Sequence, residues 1–183
     1  MNDVYRVSAA GGTPMPVSAE RYTNEFAAAP SPDGKTLLLS ARGLASAQWW
    51  RNGHSHIDES EIWLLREGPA REYRRIVDGG AKALWPMWSP DGLHFSFMSD
   101  RSGAENLWSS DLEGRLTQLT HFDSGRVLWP SISRDGRTIA FERGFGLWTL
   151  DTGGGEARSV PVALRGVPAG RGPEFRRLTG GLE

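Results

Sequence analysis

The chain has 183 residues, 38% of them apolar and 23% charged, with a formal net charge of −1. That balance argues against binding driven by nucleic-acid electrostatics, and the absence of cysteine excludes disulfides and thiolate metal sites while leaving the compartment open. No stretch is long and apolar enough to cross a membrane, and residues 1–8 lack the charged and apolar regions of a signal peptide.

Taken in chain order, Val4-Tyr5-Arg6-Val7 followed by Gly11-Gly12-Thr13-Pro14 predicts a strand and a turn. A repeating pattern then begins. Ser31-Pro32-Asp33-Gly34 returns as Ser89-Pro90-Asp91-Gly92 and, with one change, as Ser133-Arg134-Asp135-Gly136. Proline presets φ for the first corner position, aspartate bonds its own backbone, and glycine accepts positive φ. A type I corner tolerates Arg134 in place of proline.

Counted from each aspartate, large apolar residues stand at the fourth and sixth positions: Leu37 and Leu39, Phe95 and Phe97, Ile139 and Phe141. This alternation predicts a strand with one buried face. Upstream, Leu84-Trp85-Pro86 matches Leu128-Trp129-Pro130, and Phe26-Ala27-Ala28 is a weaker counterpart. Downstream come the pairs Ile62-Trp63, Leu107-Trp108 and Leu147-Trp148, then more polar segments at 72–77, 116–120 and 157–162. Each unit therefore reads as four strands joined by short connections.

The turns are separated by 58 residues (Asp33 to Asp91) and 44 residues (Asp91 to Asp135). Four short strands in roughly 40–50 residues is the period of a propeller blade. A sandwich of meanders also has short, regularly spaced strands; it would not repeat the same residues at the same offsets. The expectation is an all-β, partial and open β-propeller of about three four-stranded blades plus a half blade. Its domain spans 1–163, with a half blade at 4–17 and blades at 26–77, 84–120 and 128–162. An insertion at 41–60 accounts for the longer first interval. Residues 164–183 read as a Gly/Pro-rich linker and the start of another element. Propellers close with about four to eight blades, so the chain is expected to be a fragment with exposed sheet edges and poor solution behaviour by itself.

The repeats resemble the TolB-type propeller unit, an apolar residue before Ser-Pro-Asp-Gly, a strand, an apolar-aromatic pair and a closing Leu-Thr. Trp88 to Gly92, Phe97 to Arg101, Leu107-Trp108 and Gln118-Leu119-Thr120 carry the likeness. The phrases 11–18, 53–63 and 125–130 are similar to tricorn-like serine peptidases, in which a propeller precedes PDZ and protease domains. The resemblance implies a noncatalytic module that binds or gates peptides for a protease domain this chain does not contain. It also implies that the remainder of the same polypeptide is a partner. A TolB-like protein-interaction propeller without enzymatic activity is the alternative. The parent compartment, cytoplasmic, periplasmic or secreted, stays open, and no cofactor is implied.

The candidate binding residues are Trp49, Trp50, Arg51, His54, His56 and Arg126. In an extended segment His54, His56 and Asp58 share one face and offer a weak divalent-metal set; a structured loop explains them as well. Trp49 and Trp50 suit either an aromatic platform beside Arg51 or packing between blades. Arg101, Arg126 and Arg143 suit a polar channel that holds carboxylates or surface ion pairs with Asp100, Asp123 and Glu142. Trp63, Trp108 and Trp148 read as core, and repetition makes Trp85 and Trp129 structural first. For nucleophilic catalysis there is no Gly-x-Ser-x-Gly elbow, and Ser55 points away from its flanking histidines in an extended chain.

Overall fold

In a computed structural model, residues 2–18, 23–42, 59–68, 70–163 and 166 are described. Among the described residues, fourteen strands form one two-stranded and three four-stranded antiparallel sheets. Strands β1 (Tyr5–Arg6) and β2 (Met15–Pro16) pair alone. The first full sheet is β3 (Asn24–Pro30), β4 (Thr36–Arg42), β5 (Glu61–Arg66) and β6 (Glu72–Val77). The second is β7 (Leu84–Trp88), β8 (His94–Ser99), β9 (Asn106–Asp111) and β10 (Leu116–Gln118). The third is β11 (Leu128–Ile132), β12 (Thr138–Arg143), β13 (Gly146–Asp151) and β14 (Arg158–Val160). Within each sheet the strands pair in chain order, as blades do, and the arc is an open, partial β-propeller.

Alternation along each second strand feeds two different cores. Leu38 joins Ile62, Leu64, Phe95 and Phe97 between the first and second blades. Its neighbour Leu39 faces the other way and meets Val17 and Leu65 under the half blade. Likewise Phe97 belongs to the first core, and Met98 packs with Leu107, Ile139 and Phe141 between the second and third blades. The sequence pattern predicts one buried face per strand; here β8 is buried on both faces from Phe95 to Ser99. A blade flanked by two others has no solvent side. In β12 Ile139 and Phe141 are buried while Ala140 is exposed, so the simple alternation survives where the outer face is open. Leu147 is 52% exposed, whereas Ile62 and Leu107 at the same blade position are 0% exposed.

The repeated turns close as their chemistry requires. The Gly34 amide donates to the Ser31 carbonyl at 2.9 Å. Asp33 Oδ1 accepts from Ser31 Oγ at 2.7 Å and from the Lys35 amide at 3.1 Å. The third turn copies this with Ser133 Oγ at 2.6 Å and the Arg137 amide at 3.1 Å from Asp135 Oδ1. In the second turn Asp91 instead takes the Leu93 amide at 2.8 Å and pairs with His94 Nδ1 at 2.8 Å. His94 is an exposed strand residue, as its sequence position predicts.

The serine hydroxyls, and then the backbone amides, hold the Asp33 and Asp135 carboxyls below the ordinary carboxylate range. A folded-state pKa depressed below the unfolded value of about 3.9 stabilises the fold above that pH, and the contribution is lost as pH falls through the folded value. Acid unfolding followed by tryptophan fluorescence is therefore expected to begin below about pH 4. The Asp33→Asn/Asp135→Asn double variant should be less stable at neutral pH and show a shallower acid transition. An unchanged acid profile would remove these turns from the pH response.

Candidate functional site: the inner rim of the blade arc

The first strands β3, β7 and β11 are edge strands of their sheets and lie side by side, β3 against β7 and β7 against β11. They form the inner rim of the arc. Each carries a bulge, between Phe26 and Ala29, Leu84 and Met87, and Leu128 and Ser131. The bulge contains a left-handed residue at the same position each time: Ala27 at φ 49°, Trp85 at 55° and Trp129 at 51°. That conformation costs a side-chain-bearing residue about 1–2 kcal/mol, so the repeat accepts local strain to bend each inner strand. The indole rings of Trp85 and Trp129 meet with centroids 5.3 Å apart. Trp85 is half-buried against the core between the second and third blades, and Trp129 is 67% exposed. Repetition alone therefore does not put both in packing.

At the turn end of the same strands lies a cleft of about 600 Å³ shared by three blades, with Pro30, Pro32, Trp88, Pro90, Pro130 and Ile132 among its walls. Trp88 Nε1 donates to the Ala29 carbonyl at 2.9 Å and ties the second inner strand to the first. The turns stack from blade to blade. The nearest atom to a Cβ built on Gly92 is Pro32 Cδ at 3.9 Å, and a Cβ on Gly136 would run into the Pro90 ring. Thus the motif's proline and glycine meet between blades, which their spacing within one turn does not reveal.

Where the second and third blades begin, a clasp sits beside the rim. Ser60, one residue before β5, donates from Oγ to the Ala83 carbonyl at 3.0 Å and accepts the Ala83 amide at 2.9 Å. Glu105, one residue before β9, replaces that hydroxyl with a carboxylate that is 5% exposed. It accepts the Val127 amide at 2.9 Å and Lys82 Nζ at 2.7 Å, with Arg126 Nε at 3.4 Å. The corresponding residue before β13 is Phe145, at φ 60° and fully exposed.

Of the sequence candidates, Trp49, Trp50, Arg51, His54, His56 and Asp58 lie outside the described residues. Arg126 is placed on Glu105, with its side chain 63% exposed. Arg101 and Arg143 serve packing. The Arg101 guanidinium lies 5.7 Å from the Phe97 ring centre and 5.5 Å from that of Trp108, and burial lowers its pKa. Arg143 lies 4.0 Å over Phe122 and donates to the Ser124 carbonyl at 2.8 Å. Trp63, Trp108 and Trp148 are half-buried. Among the described residues no group of three or more His, Asp or Glu side chains could hold a metal ion, and no helix is long and apolar enough to cross a membrane. Sequence reasoning missed Glu105 and the cleft. The available signal for the cleft was Arg134, the one substitution in the repeated tetrapeptide.

Residues 1–156 match the family model of the tricorn protease N-terminal β-propeller domain. The chain belongs to that family. Tricorn protease homolog 1 of Streptomyces coelicolor is 30% identical over 138 residues, 72% of this chain and 12% of that protein. The Tol-Pal system protein TolB of Nitratidesulfovibrio vulgaris is 33% identical over 86 residues, 46% of this chain and 19% of that protein. The fold is similar to that of the putative TolB from Agrobacterium tumefaciens, with a TM-score of 0.67 at 19% identity over 86% of this chain and 55% of that one. This tricorn-type propeller spans less than half the length of the curated relatives it matches.

Proposed function

We propose that the chain is the noncatalytic propeller part of a tricorn-like peptidase and binds or gates peptides for a protease domain elsewhere in the same polypeptide. The match of the tricorn N-terminal propeller model to residues 1–156 is the observation that carries this reading. Three blades that share one inner rim and one cleft supply a place for an extended chain. Trp49, Trp50, Arg51, His54, His56 and Arg126 are proposed contacts for that chain. The exposed Leu147, at a position buried in both preceding blades, supports a further blade covering the outer face of the third sheet.

The chain should bind unfolded, fluorescein-labelled casein fragments saturably and leave them uncleaved. No saturable binding would sink the reading. So would cleavage that disappears when a serine of residues 1–183 is replaced. The identity to TolB favours a second reading, a propeller that docks a folded protein; saturable binding of folded partners with no binding of unfolded fragments would select it.

A further inference from the structure

We propose that the three-blade cleft is a subsite for an acidic side chain within an extended peptide, held by Arg134. This rests on the peptide-binding reading above and names the chemistry of one contact. The other described walls are uncharged: four prolines, Ala29, Met87, Trp88 and Ile132, with Ser131 and Ser133. Among the described residues, Arg134 is the single charged one lining it.

The repeat itself marks Arg134 as unusual. Pro32 and Pro90 occupy this corner in the first two turns, and each faces the glycine of the next turn. Arg134 has an exposed side chain there instead. The carboxylate beside it, Asp135, is engaged by Ser133 Oγ and the Arg137 amide. No described residue forms an ion pair with Arg134. A cation without an ion-pair partner in an otherwise uncharged cleft is complementary to an anion, and the proline, Trp88 and Ile132 surfaces suit apolar groups beside it.

The prolines in the walls favour a side-chain carboxylate over a chain-terminal one. A chain-terminal carboxylate is ordinarily captured by clustered backbone amides, and proline has none to donate. Four of the wall positions, Pro30, Pro32, Pro90 and Pro130, are proline. A side-chain carboxylate needs only the guanidinium fork, while its apolar neighbours lie on the proline and tryptophan surface.

Fluorescence anisotropy with fluorescein-Leu-Pro-Glu-Leu-Pro-amide, its Gln counterpart, and the Gln peptide with a free C-terminal carboxylate tests this on the full chain. The Glu peptide should bind about tenfold more tightly than the amidated Gln peptide, the scale of one charge-assisted contact. Arg134→Pro, which restores the residue of the other two turns, and Arg134→Gln should both abolish the preference. Equal binding of the two amidated peptides would overturn the subsite and leave peptide binding standing. A preference that survives Arg134→Pro would also overturn it, as would tighter binding of the free-carboxylate Gln peptide than of the Glu peptide. Absence of binding by all three would overturn both readings.

Discussion

Gly136→Ala is expected to destabilise the protein by about 3 kcal/mol, from roughly 1–2 for a left-handed alanine and 1–3 for overpacking. Gly136 has φ 72° and lies against the Pro90 ring of the preceding blade, where a methyl group has no room. Neither partner can move cheaply. Proline is rigid, and the turn is pinned by Ser133 and Asp135. The internal control is Gly92→Ala, with φ 67° and Pro32 at ordinary van der Waals separation, 3.9 Å. That substitution should cost only the backbone share, about 1–2 kcal/mol. Urea melts of the two variants compare them directly. Equal losses would mean that the turns do not bear on one another.

Glu105→Ala should cost a similar amount, about 3 kcal/mol, because it removes one member of a buried charged cluster and leaves its partners behind. The Val127 amide loses its acceptor and the Lys82 ammonium, 17% exposed, loses a carboxylate. Arg126 is 63% exposed and turns to water at little cost. Glu105→Gln retains an acceptor for Val127 and should lose less. Ser60→Ala, at the equivalent position between the first two blades, removes neutral hydrogen bonds and should cost about 1 kcal/mol. The ranking Glu105→Ala, Glu105→Gln, Ser60→Ala is the expected result of thermal melts. An innocuous Glu105→Ala would show that the third blade docks through its apolar core alone.

Much of this architecture is legible in single residues. The recurring turn and the apolar residues four and six positions after Asp33, Asp91 and Asp135 place every second strand. The Ile-Trp and Leu-Trp pairs place the third. Those signals are local. Turn chemistry acts within four residues and strand alternation within two, so no tertiary information is needed to detect them. The site is less legible. Arg126 was visible as a candidate, yet its place on Glu105 depends on a residue 21 positions away, in a different blade. Trp85 and Trp129 share a motif position but differ in exposure, because Trp85 has a following blade against it.

The sequence by itself determined the repeat, the all-β class and the four-strand order of each blade, since period and turn type are properties of contiguous residues. Only the tertiary structure decided that inner blades bury both faces, that the motif's proline meets the next copy's glycine, and that Arg134 stands alone in a cleft made by three strands. These depend on groups brought together by blade-to-blade packing. Sequence spacing carries the repeat length; the distance between side chains on neighbouring blades arises only when the sheets twist and stack.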